Sequence, residues 1–194
     1  ITVTTNKSVT NLSDSLTITS FTVSSSDDSS SDDSSSSGSG VFVVVGDEGI
    51  IVRSTDNGET WDNATSRTGD NLWGVAFGNN TFVAVGSSEN ISRSTDNGTT
   101  WDNATHAGTD LGTGDVTFGN NTFVAVGDDG SIERSTDNGE NWASVTSGTD
   151  KDLFGVTFAN NTFVAVGEDG NILRSTDNGS SWDNATISID LTGN

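Results

Sequence analysis

A nine-residue phrase recurs four times in a chain of 194 residues: RSTDNGETW (53–61), RSTDNGTTW (93–101), RSTDNGENW (134–142) and RSTDNGSSW (174–182). Its aspartates, Asp56, Asp96, Asp137 and Asp177, are spaced 40, 41 and 40 residues apart. Spacing that regular means one structural unit used four times, and units that cannot bury their apolar surface alone must stack on one another. The repetition extends well beyond the phrase. LWGVAFGNNTFVAVGSSENISRSTDNGTTWDNAT (72–105) matches DVTFGNNTFVAVGDDGSIERSTDNGENWASVT (115–146) and LFGVTFANNTFVAVGEDGNILRSTDNGSSWDNAT (153–186).

Each unit reads as four short strands. In the second unit these are LWGVAF, TFVAVG, NISRST and TTWDNAT, joined by Gly- and Asn-rich connections of the kind tight hairpins require. In TFVAV, Phe82 and Ala84 point to one face and Val83 and Val85 to the other. No stretch shows a 3.6-residue period, so almost no helix is expected. The fold class is therefore all-β, a β-propeller of four blades of about 40 residues and four strands each. Four blades could close on themselves or form half of a larger ring.

The first unit begins at its second strand, VFVVVG. Upstream lie SLTITSFTV (15–23) and a low-complexity acidic run, SSSDDSSSDDSSSSGSG (24–40). Leu16 and Phe21 are five apart, like Leu72 and Phe77 or Leu153 and Phe158. Residues 15–23 are thus expected to supply the missing first strand, from the same chain or from a neighbouring molecule. The domain reading is an N-terminal β-arm at 1–23, a Ser/Asp-rich segment at 24–40 and the propeller at 41–194.

The phrase S-x-D-x-G-x-[T/S]-W resembles the Asp-box, or BNR repeat, of sialidases, sortilin-type receptors, some glycoside hydrolases and photosystem assembly factors of the Ycf48 type. The surrounding TFVAVG…GxIxRSTDNGxTW is most similar to Ycf48-like and other bacterial BNR propellers, over about residues 41–190. The resemblance implies a structural role for Ser54, Asp56, Gly58 and Trp61, for Ser94, Asp96, Gly98 and Trp101, for Ser135, Asp137, Gly139 and Trp142, and for Ser175, Asp177, Gly179 and Trp182. The box would be the turn between third and fourth strands. Physical chemistry agrees with that role. A turn aspartate accepts backbone N–H bonds, the glycine supplies positive φ, and the tryptophan can fill the wedge between blades. Asn141, at the seventh position of the third box, departs mildly from the pattern.

The residues argue against catalysis. A sialidase, as the family implies, needs a tyrosine nucleophile, and the chain has no Tyr. It has no Cys, and its single His is His106, between two units. Arg53, Arg93, Arg134 and Arg174 recur once per unit, which suggests four copies of a structural ion pair with a neighbouring Asp. The acidic pairs Asp47/Glu48, Asp128/Asp129 and Glu168/Asp169 precede Gly in equivalent turns, where turn chemistry explains them. Weak calcium binding is the most such clusters would offer. No metal site and no cofactor is expected.

Asp and Glu number 28 against seven Lys and Arg, a net charge of −21. That field repels phosphate backbones and anionic lipid heads, so neither nucleic acid nor membrane insertion is expected. The chain does not begin with Met, and Ile1 reads as a processed N-terminus. Eleven N-x-S/T sequons occur. Asn79, Asn120 and Asn160 fall at hairpin tips, and Asn63, Asn103 and Asn184 fall on the outer strand, all suited to glycosylation. The functional expectation is a secreted, non-enzymatic structural or assembly protein, a glycosylated surface or filament subunit that self-associates through its N-terminal arm. The alternative is a lectin-like propeller binding glycans through exposed aromatics.

Overall fold

The computed structural model describes residues 24–25, 40–88, 90–105, 111–112 and 114–185. They form four antiparallel sheets of four strands, each a simple meander in chain order. Blade 1 comprises β1 (Ser24–Ser25), β2 (Phe42–Val45), β3 (Ile51–Ser54) and β4 (Asp62–Asn63). Blade 2 comprises β5 (Leu72–Gly78), β6 (Thr81–Gly86), β7 (Ile91–Ser94) and β8 (Asp102–Asn103). Blade 3 comprises β9 (Asp115–Gly119), β10 (Thr122–Val126), β11 (Ile132–Ser135) and β12 (Ala143–Ser144). Blade 4 comprises β13 (Leu153–Ala159), β14 (Thr162–Gly167), β15 (Ile172–Ser175) and β16 (Asp183–Asn184). The first strands β5, β9 and β13 lie side by side, so they are the inner strands.

The alternation read in TFVAV holds, and both faces of the strand are buried. Phe82 and Ala84 pack with Val43, Val45 and Ile51 of blade 1, while Val83, Val85 and Ile91 pack with Phe123, Ala125 and Trp142 of blade 3. A third cluster joins Val124, Val126 and Ile132 to Phe163, Ala165 and Trp182 of blade 4. Every joint therefore meets a valine face with a phenylalanine–tryptophan face. Among the described residues no buried cluster joins blade 4 to blade 1.

Two details differ from the sequence reading. The fourth strands are only two residues long, because the preceding box turn takes the backbone groups a longer strand would use. Blade 1 is completed by the same chain, but by Ser24 and Ser25, which pair with Val43 and Phe42. Ser25 thus stands where Phe77 stands in blade 2, opposite Phe82. The match that placed Phe21 there is displaced by four residues, and a strand falls within the Ser/Asp-rich run. Residues 1–23 lie outside the described residues.

The hairpins between first and second strands turn on Asn79–Asn80, Asn120–Asn121 and Asn160–Asn161, all with φ between 47° and 58°. Two consecutive positive φ values define the primed turn that suits a twisted hairpin, and Asn tolerates them better than most residues. The acidic pairs form one-turn 3-10 segments at Asp47–Gly49, Asp128–Gly130 and Glu168–Gly170.

Candidate functional site

The repeated phrase builds a closed clasp in each blade. In blade 2, the Ser94 hydroxyl accepts the Gly98 N–H at 2.9 Å and donates to Asp96 Oδ1 at 2.8 Å. Asp96 Oδ1 accepts the Thr100 N–H at 2.9 Å, and Oδ2 accepts the Thr100 hydroxyl at 2.7 Å. The Trp101 indole N–H then donates to the Gly98 carbonyl at 3.1 Å. The same bonds recur around Asp56, Asp137 and Asp177. In blade 3 the Asn141 amide replaces the hydroxyl and reaches Asp137 Oδ2 at 2.8 Å, so the departure from the pattern preserves the donor.

These bonds lower the carboxyl pKa values. The Thr60 hydroxyl on Asp56 and the Ser181 hydroxyl on Asp177 lead in holding both at about 2. Partial burial pushes Asp96 and Asp137 upward, and the hydrogen bonds from Thr100 and Asn141 outweigh it, so both remain lowered. Asp96, Asp137 and Asp177 face solvent and Asp56 is half-buried, while Ser54, Ser94, Ser135 and Ser175 are buried. The serine is the inner member of the clasp.

The clasp is also a joint. The box asparagines and glycines all adopt positive φ, for example Asn97 at 58° and Gly98 at 77°. A Cβ on Gly98 would lie 2.8 Å from Val43 Cγ2 of blade 1, and one on Gly179 would lie 2.9 Å from Val124 Cγ2 of blade 3. The preceding blade's arginine reaches the adjacent box carbonyl: Arg53 donates to Asn97, Arg93 to Asn138 and Arg134 to Asn178, at 2.5, 3.2 and 2.6 Å. The expected Arg–Asp ion pairs are therefore not what these arginines form. A backbone carbonyl turned outward by the left-handed asparagine is the nearer acceptor.

Hairpin asparagines complete each joint. Asn79 Nδ2 donates to Asn138 Oδ1 at 3.0 Å and Asn120 Nδ2 to Asn178 Oδ1 at 3.1 Å, each bridging to the following blade's box. Sequence reasoning treated these tips as free. The signal it passed over was the joint repetition of GNN and DNG, two turns far apart in sequence and linked only in space. Two glycosylation candidates, Asn79 and Asn120, thus have their amide nitrogens engaged. Asn63, Asn103 and Asn184 are exposed on the outer strands. Asn160, at the tip in blade 4, bridges to no box among the described residues.

Three of the box tryptophans are buried in joints: Trp101, Trp142 and Trp182, at 1%, 5% and 8% exposure. Trp61 is half-buried. Trp73 is also half-buried and donates its indole N–H to Ser87 Oγ at 3.1 Å. Asp115 takes the inner-strand position held by Gly74 and Gly155. Burial pushes its carboxyl up, against hydrogen bonds from the Val156 and Val116 N–H groups. Asp129 N–H donates to Asp152 Oδ1 at 2.9 Å, so that acidic turn is tied to the linker before blade 4. Among the described residues no His, Cys, Asp and Glu cluster has the makings of a metal site. His106 lies outside the described residues.

No protein-family profile and no curated protein matches the sequence. Solved structures share the fold. YCF48 bound to D1 peptide superposes with a TM-score of 0.61 at 20% identity, over 77% of this chain and 51% of that one. YCF48 from Cyanidioschyzon merolae gives 0.59 at 20%, over 80% and 55%. A glycoside hydrolase of the GH74 type from Niastella koreensis gives 0.56 at 23%, over 74% and 22%. The fold is that of a β-propeller with Asp-box turns, and the chain spans about half the length of the YCF48 structures it matches. Its neighbours include both YCF48 and an enzyme.

Proposed function

We propose that this chain is a non-enzymatic structural or assembly module of a secreted, sugar-bearing surface or filament protein. One observation supports it above the others: the repeated polar side chains are consumed by the architecture. Ser, Asp and the seventh box residue satisfy one another, Arg53, Arg93 and Arg134 hold the next blade, and the buried tryptophans fill joints. A neighbour of the same fold is described with a peptide bound, which fits an assembly role. Sugar would sit on Asn63, Asn103 and Asn184, which are exposed and whose amides are not engaged between blades.

The test has two arms. Protein secreted from a glycosylating host should carry sugar at Asn63, Asn103 and Asn184 and not at Asn79 or Asn120, read by glycopeptide mass spectrometry. Hydrolysis of β-glucans and sialosides should be absent; turnover abolished by Asp115→Asn would overturn the reading. A second reading, glycan binding, is favoured by Phe154, an inner-strand aromatic that is 55% exposed, at the position equivalent to Trp73. It requires oligosaccharide affinity that Trp73→Ala or Phe154→Ala removes.

A further inference from the structure

Each internal joint has a donor side and an acceptor side, and the outermost blades present one unused copy of each. On the donor side of blade 4, Val166 is 45% exposed, and Val164 and Ile172 are half-buried. Their equivalents in blade 3, Val126, Val124 and Ile132, are 0%, 0% and 1% exposed. Arg174 is exposed, and neither its guanidinium nor the Asn160 amide has a partner among the described residues. On the acceptor side of blade 1, Phe42, Val44 and Trp61 are half-buried where Phe82, Ala84 and Trp101 are 0%, 0% and 1% exposed. Among the described residues a Cβ on Gly58 would meet only its own Trp61, whereas ones on Gly98, Gly139 and Gly179 would each meet a valine of the preceding blade.

We propose that the blade 4 face docks onto the blade 1 face of a second copy of this chain, head to tail, remaking the internal joint. Arg174 donates to the Asn57 carbonyl, Asn160 to the Asn57 side chain, and Val164 packs on Gly58. Two copies joined twice give eight blades, within the usual range of closed propellers of about four to eight. The contact is heterologous, and closure at two copies prevents an open fibre.

An irregularity in the repeats fits the same joint. Gly78 and Gly119 leave room for the rings of Phe118 and Phe158 in the following blade; a Cβ on either would lie 2.1 Å from the ring. In blade 4 that glycine is Ala159. The position it would meet in blade 1 holds Ser25 in place of a phenylalanine. The joint that lacks the ring is the joint that lacks the glycine.

Opposing the contact is the net charge of −21 on each copy. Screening that shrinks from about 10 Å at 0.1 M salt to about 3 Å at 1 M should therefore strengthen pairing. The experiment is sedimentation equilibrium of the 194-residue chain in 0.1 and 1 M NaCl. The expected result is a species of twice the chain mass, favoured by salt. Val166→Glu and Val44→Glu should each be monomeric with unchanged circular dichroism, and their 1:1 mixture should regain pairing through its one intact joint. Arg174→Gln, on an exposed side chain, should weaken pairing about a hundredfold, since one charge-assisted hydrogen bond of about tenfold is lost at each of the two joints. A wild-type chain that stays monomeric in 1 M NaCl overturns the proposal. So does a dimer that survives both Glu variants, or a monomer in which deleting residues 1–23 newly exposes the β14 amides to hydrogen exchange, since the arm would then be the occupant.

Discussion

At the scale of single residues, the clasp has an inside and an outside. Ser94 is buried and satisfies the buried Gly98 N–H, whereas Asp96 stands in solvent. Ser94→Ala should therefore cost about 1–3 kcal/mol, the penalty for an unpaired buried donor, and Asp96→Ala should cost less. Chemical denaturation of both variants checks the order. Glu133 offers the opposite case. It is fully buried, its Oε1 accepts from Ser144 at 2.7 Å, and its Oε2 has no partner. Blade 4 places Leu173 at the equivalent position, also fully buried. Glu133→Leu should raise stability by about 1–3 kcal/mol, measured by the same melts, because an uncompensated buried acceptor is replaced by packing. The pH dependence follows from the clasps. Their lowered carboxyls contribute stability that is fully present above the ordinary value of 3.8 and is lost as the pH falls towards about 2. Asp115 acts in the other sense: its raised carboxyl favours the fold when protonated, and that contribution is lost as the pH rises through its folded pKa. Relief of repulsion among the surface acids acts the same way. The melting temperature should thus rise from pH 7 to about 4.5 and fall below about 4. A monotonic profile would contradict the clasp's part in it.

At the scale of the element, the hairpin tips carry the clearest internal control. Asn79→Asp and Asn120→Asp remove amides that bridge to the next box, while Asn160→Asp removes an amide with no such bridge. The first two should lower the melting temperature and the third should leave it unchanged in the monomer. The strands were legible in the sequence because period-two alternation in TFVAV and the Asn–Asn and Asp–Gly turns are local signals, repeated often enough to reinforce one another. The clasp was legible for the same reason: Ser, Asp, Gly and Trp meet within nine residues. The first strand of blade 1 was misplaced by four residues because Ser24 and Ser25 carry no apolar signal, and Phe21 does. The fourth strands were read too long because Thr99–Trp101 have strand-like composition, yet the Asp96 clasp takes the Thr100 N–H. The tryptophans' place between blades was legible in their bulk, but the polar contacts of the joints were marked by nothing more than the repetition of GNN and DNG. Arg53 meets Asn97, and Asn79 meets Asn138, only after the blades have stacked, and nothing in the chain's local chemistry marks either acceptor.

At the scale of the whole molecule, the fold is a row of blades whose stability lies between neighbours rather than within each sheet. Three apolar clusters, each shared by two blades, account for nearly all the buried large side chains. The phrase RSTDNGxxW recurs because every blade must be clasped and every clasp seats the blade before it. Tryptophan removal tests that claim directly. In the monomeric Val166→Glu background, Trp101→Ala and Trp142→Ala each empty an internal joint, and each should cost about 3–5 kcal/mol in urea unfolding. Trp61→Ala touches the outer face of blade 1, which no blade covers among the described residues, and should cost clearly less. Equal costs at Trp61, Trp101 and Trp142 would contradict the account, because the tryptophans would then stabilise their own turns and not the joints.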